Sequence, residues 1–403
     1  FHIPFCDTVC FYCACNKVVT KDRTRAGGYL ERLHKEIAMQ GALFDKGRTV
    51  DQLHWGGGTP TFISHPEMED LMRVTGEHFN LRDDDTGEYS IEIDPREVSE
   101  ETIAVLRRIG FNRMSMGVQD FDPKVQAAVN RNQTERQTMA ALEAARQEGF
   151  KSMSLDLIYG LPFQSVESFQ RTLEKVLTIS PDRLSIFNYA HLPELFKPQR
   201  RINAEDLPAP QQKLDILQTT IETLTANGYV YIGMDHFAKP DDELAVAQRD
   251  GTLYRNFQGY STHADCDLIG MGNTAISMVG ASYAQSFREL EDYYARIDNG
   301  RLAIFRGVDL DADDILRRDV ITRLICHFQL DKAAVAERHG IDFDDYFAPE
   351  LQDLAEMEGD GLLAVTDATI QVQPAGKLLI RNICMVFDRY LREKGGQRFS
   401  KVI

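Results

Sequence analysis

Four cysteines lie within ten residues near the start of the sequence. Cys6, Cys10 and Cys13 have the spacing CxxxCxxC, and Cys15 follows two positions later. Thiols this close together are expected to bind a metal centre or to pair as disulfides. Three soft ligands on one short loop can hold three irons of a 4Fe-4S cluster and leave the fourth iron open to another ligand. The loop therefore predicts an iron–sulfur centre.

Cys15 leaves a second kind of site open. If the Cys15 thiol were a fourth ligand, the loop would hold a zinc ion bound by four cysteines or an electron-transfer cluster with no open iron. Zinc sites usually combine two CxxC pairs, whereas CxxxC, CxxC and CxC overlap in this loop. The spacing favours iron and sulfide over zinc, but it does not decide whether Cys15 is a ligand.

Strand and helix patterns alternate six times over about the first 190 residues. The strands are predicted at Phe1 to Phe5, Val50 to Trp55, Ser90 to Ile93, Arg113 to Val118, Ser152 to Ile158 and Arg183 to Phe187. Helices are predicted between them near 26–44, 66–79, 100–109, 134–149 and 165–179, with Ser99 as an N-cap. This alternation predicts an α/β fold with parallel strands and right-handed crossovers. Six units are too few for a closed eight-fold barrel, so a partial (β/α)6 barrel is expected.

Polar or glycine-rich residues follow each predicted strand. Because active sites gather at the carboxyl ends of parallel strands, these residues are expected to share one rim. They are the cysteine loop, Gly56 to Gly58, Glu92, Gln119, Asp156 and Asn188. The glycines allow a ligand to approach the backbone, or they simply form a tight turn. Glu92 and Asp156 suit an amine or a ribose as hydrogen-bond partner, or they form structural pairs.

The alternation fades after residue 203. A helix is predicted over 209–228, and the segment 233–277 is loop-like, as binding loops often are. Helices near 313–329, 332–338 and 349–358, a hairpin at Leu362 to Val365 and Ile370 to Gln373, and a helix near 375–394 indicate a mostly helical, winged-helix-like domain. We expect a catalytic domain over 1–235, substrate-covering loops and a connector over 236–305, and the C-terminal helical domain over 306–403.

Composition excludes several classes of partner. The net charge of −17 argues against nucleic acid and anionic membranes, and no dense basic stripe marks the winged-helix-like part. No run of 18 apolar residues predicts a membrane span.

Seven cysteines, three of them scattered, suit a reducing cytoplasmic location. Nothing in the sequence argues for an oligomer, so a monomer is expected. The chain begins without Met and in mid-pattern, so an N-terminal arm is expected to be missing.

A set of motifs runs through the whole chain. It comprises HIPFC at 2–6, CACN at 13–16, LHWGGGTPT at 53–61, IDPRE at 93–97, SMGVQDF at 115–121, DLIYGLP at 156–162, FNYAHLP at 187–193, GMDHFA at 233–238, NFQGY at 256–260 and GMG at 270–272. Together they resemble the radical S-adenosylmethionine superfamily and, within it, the oxygen-independent coproporphyrinogen III oxidases. The resemblance identifies the partial barrel as a radical S-adenosylmethionine barrel.

The resemblance implies a set of site residues. It makes Cys6, Cys10 and Cys13 the cluster ligands and leaves Cys15 unligated. The family holds two S-adenosylmethionine molecules, and the positions that match contacts to the one on the cluster are Gly57, Glu92 and Ile276. Positions that match contacts to the second molecule are Tyr12, Gly58, Thr59, Gln119, Arg131, Asp156 and Ala190. Position 12 is Tyr where the family carries Phe, and Gln258 lies in a segment that the family places near its active site.

The resemblance also implies a reaction. A 5′-deoxyadenosyl radical abstracts hydrogen from a propionate of coproporphyrinogen III, and loss of CO2 and one electron leaves a vinyl group. A second round gives protoporphyrinogen IX. The cofactors would be a 4Fe-4S cluster and S-adenosylmethionine, and the electron would come from a small reducing electron-transfer protein. The alternatives are the heme-trafficking relatives, which bind and deliver heme, and a heme-degrading radical methyltransferase.

Overall fold

The computed structural model describes residues 1–393, and their contacts divide into two compact units. Unit 1 comprises Phe1–Thr223 and Cys266–Val308, and unit 2 comprises Leu224–Asp265 and the chain from Asp309 onward. These boundaries differ from the expected ones at 235 and 305. The functional division over 1–235, 236–305 and 306–403 therefore stays a prediction.

Six parallel strands form the main sheet of unit 1. They are β1 (His2–Ile3), β2 (Gln52–Gly57), β3 (Glu88–Ile93), β4 (Arg113–Gln119), β5 (Ser152–Tyr159) and β6 (Arg183–Asn188). Each strand pairs in parallel with the next one along the chain. Within the described residues β1 and β6 are not neighbours in the sheet, so the barrel stays open. The predicted partial (β/α)6 barrel is confirmed.

A helix follows each of the first five strands, as the alternation predicts. These helices are α1 (Arg25–Gly41), α2 (His65–His78), α3 (Glu100–Arg108), α4 (Glu135–Gln147) and α5 (Val166–Ile179). Apolar side chains at helical spacing, such as Leu30, Leu33 and Ile37, are buried. Leu43, which falls within the predicted helix near 26–44, lies beyond the end of α1 and is 66% exposed. The helix ends at Gly41, where an added Cβ would lie 2.8 Å from the His78 carbonyl oxygen.

Ser99 caps α3 as predicted. Its hydroxyl accepts a hydrogen bond from the Thr102 amide at 3.2 Å, and the Thr102 hydroxyl accepts one from the Ser99 amide at 3.4 Å. This reciprocal pair satisfies two donors that the first helical turn cannot pair internally. It fixes the start of α3 and, with it, the loop that leaves β3.

Several elements of unit 1 were not predicted. A short helix, Pro123–Ala128, follows β4 and is capped by the Asp122 side chain. Two-residue strands pair Phe5–Cys6 with Val18–Val19 and Thr49–Val50 with Asn80–Leu81. A three-stranded sheet and a helix lie further on, at Ile276–Val279, Ser282–Ser286, Ile304–Asp309 and Leu290–Asp298. Every residue of Ile304–Asp309 is exposed, so this strand lacks the apolar alternation by which a sequence reveals a strand.

Unit 2 contains two antiparallel hairpins and a short helix before its helical part. Val230–Gly233 pairs with His236–Ala238, Tyr254–Arg255 pairs with Tyr260–Ser261, and a helix covers Glu243–Arg249. The segment 233–277 is therefore less irregular than predicted. The helix predicted over 209–228 is Pro210–Ala226, and the unit boundary falls within it.

The C-terminal part is mostly helical and contains the predicted hairpin, to which Gln329–Asp331 adds a third strand that was not predicted. Its helices are Ala312–His327, Lys332–His339, Phe343–Tyr346 and Ala348–Gly359, and its strands are Gln329–Asp331, Leu363–Val365 and Thr369–Val372. The prediction of one helix over 375–394 was wrong. The chain leaves helical geometry at Leu379, the second helix ends at Val386, and three short helices form at Pro374–Leu378, Ile380–Val386 and Arg389–Glu393. Residue 394 lies outside the described part. No helix among residues 1–393 is long and apolar enough to cross a membrane.

Candidate functional site

The cysteine loop is held at both ends by backbone pairing. It leaves the strand Phe5–Cys6 and returns along Val18–Val19, which pairs in parallel with it. Between them, the Phe11 amide donates to the Val129 carbonyl at 2.9 Å. These backbone contacts fix the loop to the main body of unit 1.

The thiols of this loop have different environments. Cys6 and Cys10 are buried, Cys13 is half-buried and Cys15 is exposed, and all seven cysteines, which lie in the described residues, are free. Burial raises the pKa of the Cys6 thiol to about 11, although the Thr59 hydroxyl donates to its sulfur at 3.6 Å. The hydrogen bond from Cys15 lowers the pKa of Cys13 to about 5 and raises the pKa of Cys15 itself. Cys13 is therefore the thiol most readily ionised for metal binding.

The thiols do not converge as a single zinc ion would require. Within the described residues, Cys6, Cys10 and Cys13 do not bring their sulfurs within 4.8 Å of one another. A tetrahedral zinc ion with Zn–S bonds of about 2.3 Å holds its sulfurs roughly 3.8 Å apart. The wider arrangement suits a multi-iron cluster, whose ligands bind separate irons.

Three glycines at the end of β2 bring the backbone close to its neighbours. A Cβ at Gly56 would lie 2.8 Å from both Glu92 Oε1 and His54 Nε2, and one at Gly58 would lie 2.7 Å from the Phe5 carbonyl oxygen. Gly57 also has φ +117°, a left-handed conformation that favours glycine. This turn therefore admits no larger side chain, and its backbone lies beside the cysteine-loop strand.

Glu92 at the end of β3 faces this turn. The Gly57 amide donates to Glu92 Oε2 at 3.1 Å, and His54 Nε2 lies 3.5 Å from Oε1. Burial acts to raise the pKa of Glu92, but His54 and the Gly57 amide outweigh it and hold the pKa below its ordinary value. The side chain is nevertheless 45% exposed. Glu92 thus presents an ionised, accessible carboxylate suited to an ammonium group or a hydroxyl.

A buried ion cluster lies against Cys10. Arg96 pairs with Asp94 through two nitrogens, and Arg131 Nη1 contacts Asp94 Oδ2 at 3.1 Å. Arg131 Nη1 lies 3.5 Å from Cys10 Sγ and Arg96 Nη2 lies 3.7 Å from it. Nε of Arg131 is buried without a partner, so one donor of this side chain is available to a ligand. The carboxylate orients both guanidinium groups toward the thiol.

Asp156 and Gln119 lie on neighbouring strands at the same rim. Asp156 pairs in register with Gly117 of β4 and Ser185 of β6, and the Ser115 hydroxyl donates to Asp156 Oδ2 at 2.8 Å. Burial raises the pKa of Asp156 to about 6. Gln119 has φ +69°, and the register of β4 against β5 shifts between Gly117 and Gln119, which is the last residue of β4 to pair.

Gln199 connects Tyr12 to Ala190. Its buried side-chain amide donates to the Tyr12 carbonyl at 2.9 Å and to the Ala190 carbonyl at 3.2 Å. Gln199 thereby joins the cysteine loop to the segment that follows β6. Tyr12 and Ala190 are both predicted to contact the second coenzyme molecule. This structural role of Gln199 was not recognised from the sequence.

Ile276 lies in a later segment of unit 1. The Met271 carbonyl accepts a hydrogen bond from the His2 amide at 2.9 Å, which attaches this segment to β1. A Cβ at Gly270 would lie 2.5 Å from the Ile276 carbonyl oxygen, so this glycine allows the chain to fold back at Ile276. Gln258 belongs to unit 2, where its amide donates to Asn256 Oδ1 at 2.9 Å, and its role stays a prediction.

The residues present fit the cluster and its coenzyme. Three thiols supply soft ligands, the glycine turn supplies backbone at close range, Glu92 supplies an anion, and Arg131 supplies an unpaired buried donor. The contribution of Arg96 and His54 was not recognised from the sequence. The available signal was their position in the sequence. Arg96 follows shortly after Glu92 at the end of β3, and His54 comes shortly before the three glycines.

Comparison with known proteins extends over the full chain. Residues 1–176 match the radical SAM superfamily, and residues 310–379 match the HemN C-terminal domain. The oxygen-independent coproporphyrinogen III oxidase of Pseudomonas aeruginosa is 56% identical over 402 residues, which are 100% of this chain and 87% of that protein. The protein of the same name from Escherichia coli K12 is 54% identical over 403 residues, covering 100% of this chain and 88% of that one.

The fold agrees with a solved relative. The structure described as coproporphyrinogen III oxidase (HemN) from Escherichia coli, a radical SAM enzyme, matches with a TM-score of 0.94 at 54% identity over 97% of this chain and 89% of that chain. The chain therefore belongs to the oxygen-independent coproporphyrinogen III oxidase family of the radical SAM superfamily.

Proposed function

We propose that this protein converts two propionate side chains of coproporphyrinogen III into vinyl groups and so produces protoporphyrinogen IX without oxygen. It is a radical SAM oxidoreductase of heme biosynthesis with a 4Fe-4S cluster and S-adenosylmethionine as cofactors. The observation that carries this function is the full-length identity of 54–56% to enzymes of that name, together with a cysteine loop that opens on the rim of the barrel.

The site residues have assigned roles in this proposal. Cys6, Cys10 and Cys13 hold the cluster, and Cys15 remains unligated and donates toward Cys13. Contacts to the first coenzyme molecule come from Gly57, Glu92 and Ile276. Contacts to a second molecule come from Tyr12, Gly58, Thr59, Gln119, Arg131, Asp156 and Ala190. When bound, the cluster and coenzyme supply the radical that removes a hydrogen atom from the substrate.

The protein itself binds, orients and excludes water. The ionised carboxylate of Glu92 accepts from the ammonium group of the first coenzyme molecule, while the glycine turn lets the coenzyme approach the backbone. Nε of Arg131 suits a carboxylate of the second molecule, because it is a buried donor without a partner. Each decarboxylation releases CO2 and one electron, which an external acceptor must take up.

Partners and location follow from the same chemistry. A small reducing electron-transfer protein supplies electrons to the cluster, and the enzyme acts as a monomer. The free thiols favour a reducing, cytoplasmic compartment. The loops over 236–305 cover the substrate in this proposal.

Anaerobic turnover tests the function against the heme-trafficking alternative. The reconstituted protein is incubated with coproporphyrinogen III, S-adenosylmethionine and dithionite, and CO2 and porphyrinogen products are measured. We expect two CO2 per substrate together with protoporphyrinogen IX. Stoichiometric retention of added heme without CO2 release would favour heme delivery, and transfer of a methyl group to heme would identify a methyltransferase.

A further inference from the structure

A short basic segment follows the cysteine loop of this acidic protein. Residues 16–25 contain Lys17, Lys21, Arg23 and Arg25 against a single acid, Asp22, whereas the whole chain has a net charge of −17. The segment thus carries a local charge of +3, four cations less one anion. Its sign is opposite to that of the protein as a whole.

This segment is hydrogen bonded directly to the loop that carries the thiols. Lys17 Nζ donates to the Cys13 carbonyl at 3.1 Å and to the Cys15 carbonyl at 3.5 Å. The Thr20 amide donates to the Cys6 carbonyl at 2.9 Å. The basic segment therefore lies directly against the loop that carries the predicted cluster ligands.

The same segment is accessible. Lys21, Arg23 and Arg25 are exposed, and Val19 is 44% exposed between Lys17 and Lys21. Arg23 contacts Asp7 and Glu97, but Lys21 and Arg25 form no ion pair among residues 1–393. Two cations and an apolar side chain are thus available to a partner close to the cluster loop.

The strand in this segment also has a free edge. Val18–Val19 pairs with Phe5–Cys6 in a two-stranded sheet, so one side of it has no strand neighbour in the described structure. We define the basic surface as Lys17, Val19, Lys21, Arg23 and Arg25.

We propose that the basic surface is the docking site of a small, acidic, one-electron carrier protein that reduces the cluster. This inference rests on the proposed function, in which the cluster receives electrons from outside. In each encounter the carrier loses one electron and the cluster gains it, and no bond forms or breaks. The net charge of −17 repels an acidic carrier elsewhere, whereas a basic surface attracts it and raises the rate of productive encounter.

Charge reversal on the reconstituted holoenzyme tests this proposal. The double variant Lys21→Glu, Arg25→Glu changes two cations that contact neither thiols nor predicted coenzyme residues. The probe is a photoreduced acidic flavodoxin, and stopped-flow absorbance follows reduction of the cluster. We expect the second-order rate constant at low salt to fall at least about tenfold and to lose most of its dependence on ionic strength.

Two controls keep the outcome specific. The variant Lys46→Glu, Arg136→Glu makes the same charge change at exposed sites away from the basic surface, and Lys46 lies past the far end of α1, roughly 25 Å from Arg25. It should retain the wild-type rate with the flavodoxin. Dithionite should reduce the cluster of all three proteins and support their turnover.

Two results separate the inference from the function it rests on. An unchanged flavodoxin rate and salt dependence in the Lys21, Arg25 variant would overturn the docking proposal while dithionite-driven turnover persists. Equal losses in both double variants would also overturn it, since the effect would then be one of net charge. Absence of turnover with dithionite in the wild-type protein would instead contradict the proposed function.

Discussion

Replacing Gly58 with alanine should disturb the site through lack of space alone. An added Cβ would lie 2.7 Å from the Phe5 carbonyl oxygen and 2.8 Å from the carbonyl group of Pro4. Ordinary contacts begin at 3.4 Å, so the two backbones must separate by about 0.7 Å, the difference between 3.4 and 2.7 Å. The atoms that must move are backbone atoms next to Cys6, and no flexible side chain can yield instead.

The magnitude of the effect follows from that displacement. Overpacking of this kind costs about 1–3 kcal/mol of stability. A shift approaching 1 Å at a catalytic group reduces turnover by about 100-fold. We therefore expect Gly58→Ala to fold with a lower melting temperature, to bind S-adenosylmethionine more weakly and to lose about 100-fold in kcat.

The matched control is Gly27→Ala. A Cβ at Gly27 would meet nothing within 4 Å, and the residue lies inside α1. Alanine in a helix is favoured over glycine by roughly 0.5–1 kcal/mol, so this variant should be slightly more stable and fully active. Wild-type turnover and coenzyme affinity in Gly58→Ala would refute the argument that Gly58 is required for close backbone approach.

Three further predictions concern titratable groups. The folded protein raises the pKa of Asp156 to about 6 from its ordinary 3.8, so the contribution of this group to stability is fully present below pH 3.8 and is lost as the pH rises through 6. Asp156→Asn should therefore make the cofactor-free protein more stable at pH 7, by no more than about 3 kcal/mol. Calorimetry should show that this difference in stability shrinks toward pH 4. Glu36 is buried and accepts from Tyr293 at 2.6 Å and from the Gly272 amide at 2.8 Å, so Glu36→Ala should cost about 1–3 kcal/mol in thermal or denaturant unfolding. Arg96→Gln removes a positive charge 3.7 Å from Cys10 Sγ, and a redox titration followed by electron paramagnetic resonance should show a more negative cluster potential.

Each of these predictions has an opposing result. A stability difference for Asp156→Asn that does not change between pH 4 and pH 7 would show that its carboxyl is not perturbed. Glu31→Ala, at an exposed position of α1, is the control for Glu36→Ala and should have no effect, while Glu36→Gln should stay close to wild type. Arg107→Gln removes a cation that pairs with Asp85 and should leave the cluster potential unchanged. Equal potentials in the Arg96 and Arg107 variants would argue against tuning through Cys10.

The sequence predicted the barrel well because its signals are local and strong. Buried strands appear as apolar runs that carry polar or small residues near their carboxyl ends, such as Gly57, Glu92 and Asp156, and parallel pairing then brings those ends to one rim. The antiparallel strands over 276–309 were missed for the opposite reason. Ile276–Val279 and Ser282–Ser286 form a tight hairpin of mostly half-buried residues, and Ile304–Asp309 is exposed throughout, so no regular alternation of buried and exposed positions marks these strands.

The site was predicted as a set of residues but not as a network. Spacing alone did not decide whether Cys15 is a fourth ligand. It also could not show that Asp94 orients two arginines toward Cys10 or that Gln199 joins Tyr12 to Ala190. Such contacts join residues between two and 187 positions apart. They become visible only once the strand ends are assembled.

The number of cysteines that hold the cluster is the central claim about the site. It is tested most directly by iron and sulfide analysis of Cys15→Ser and Cys13→Ser after anaerobic reconstitution, alongside the wild-type protein. We predict that Cys15→Ser retains the iron and sulfide of the wild type, whereas Cys13→Ser retains almost none. Loss of iron and sulfide in the Cys15→Ser variant would contradict the open three-cysteine site and restore a closed, four-cysteine one.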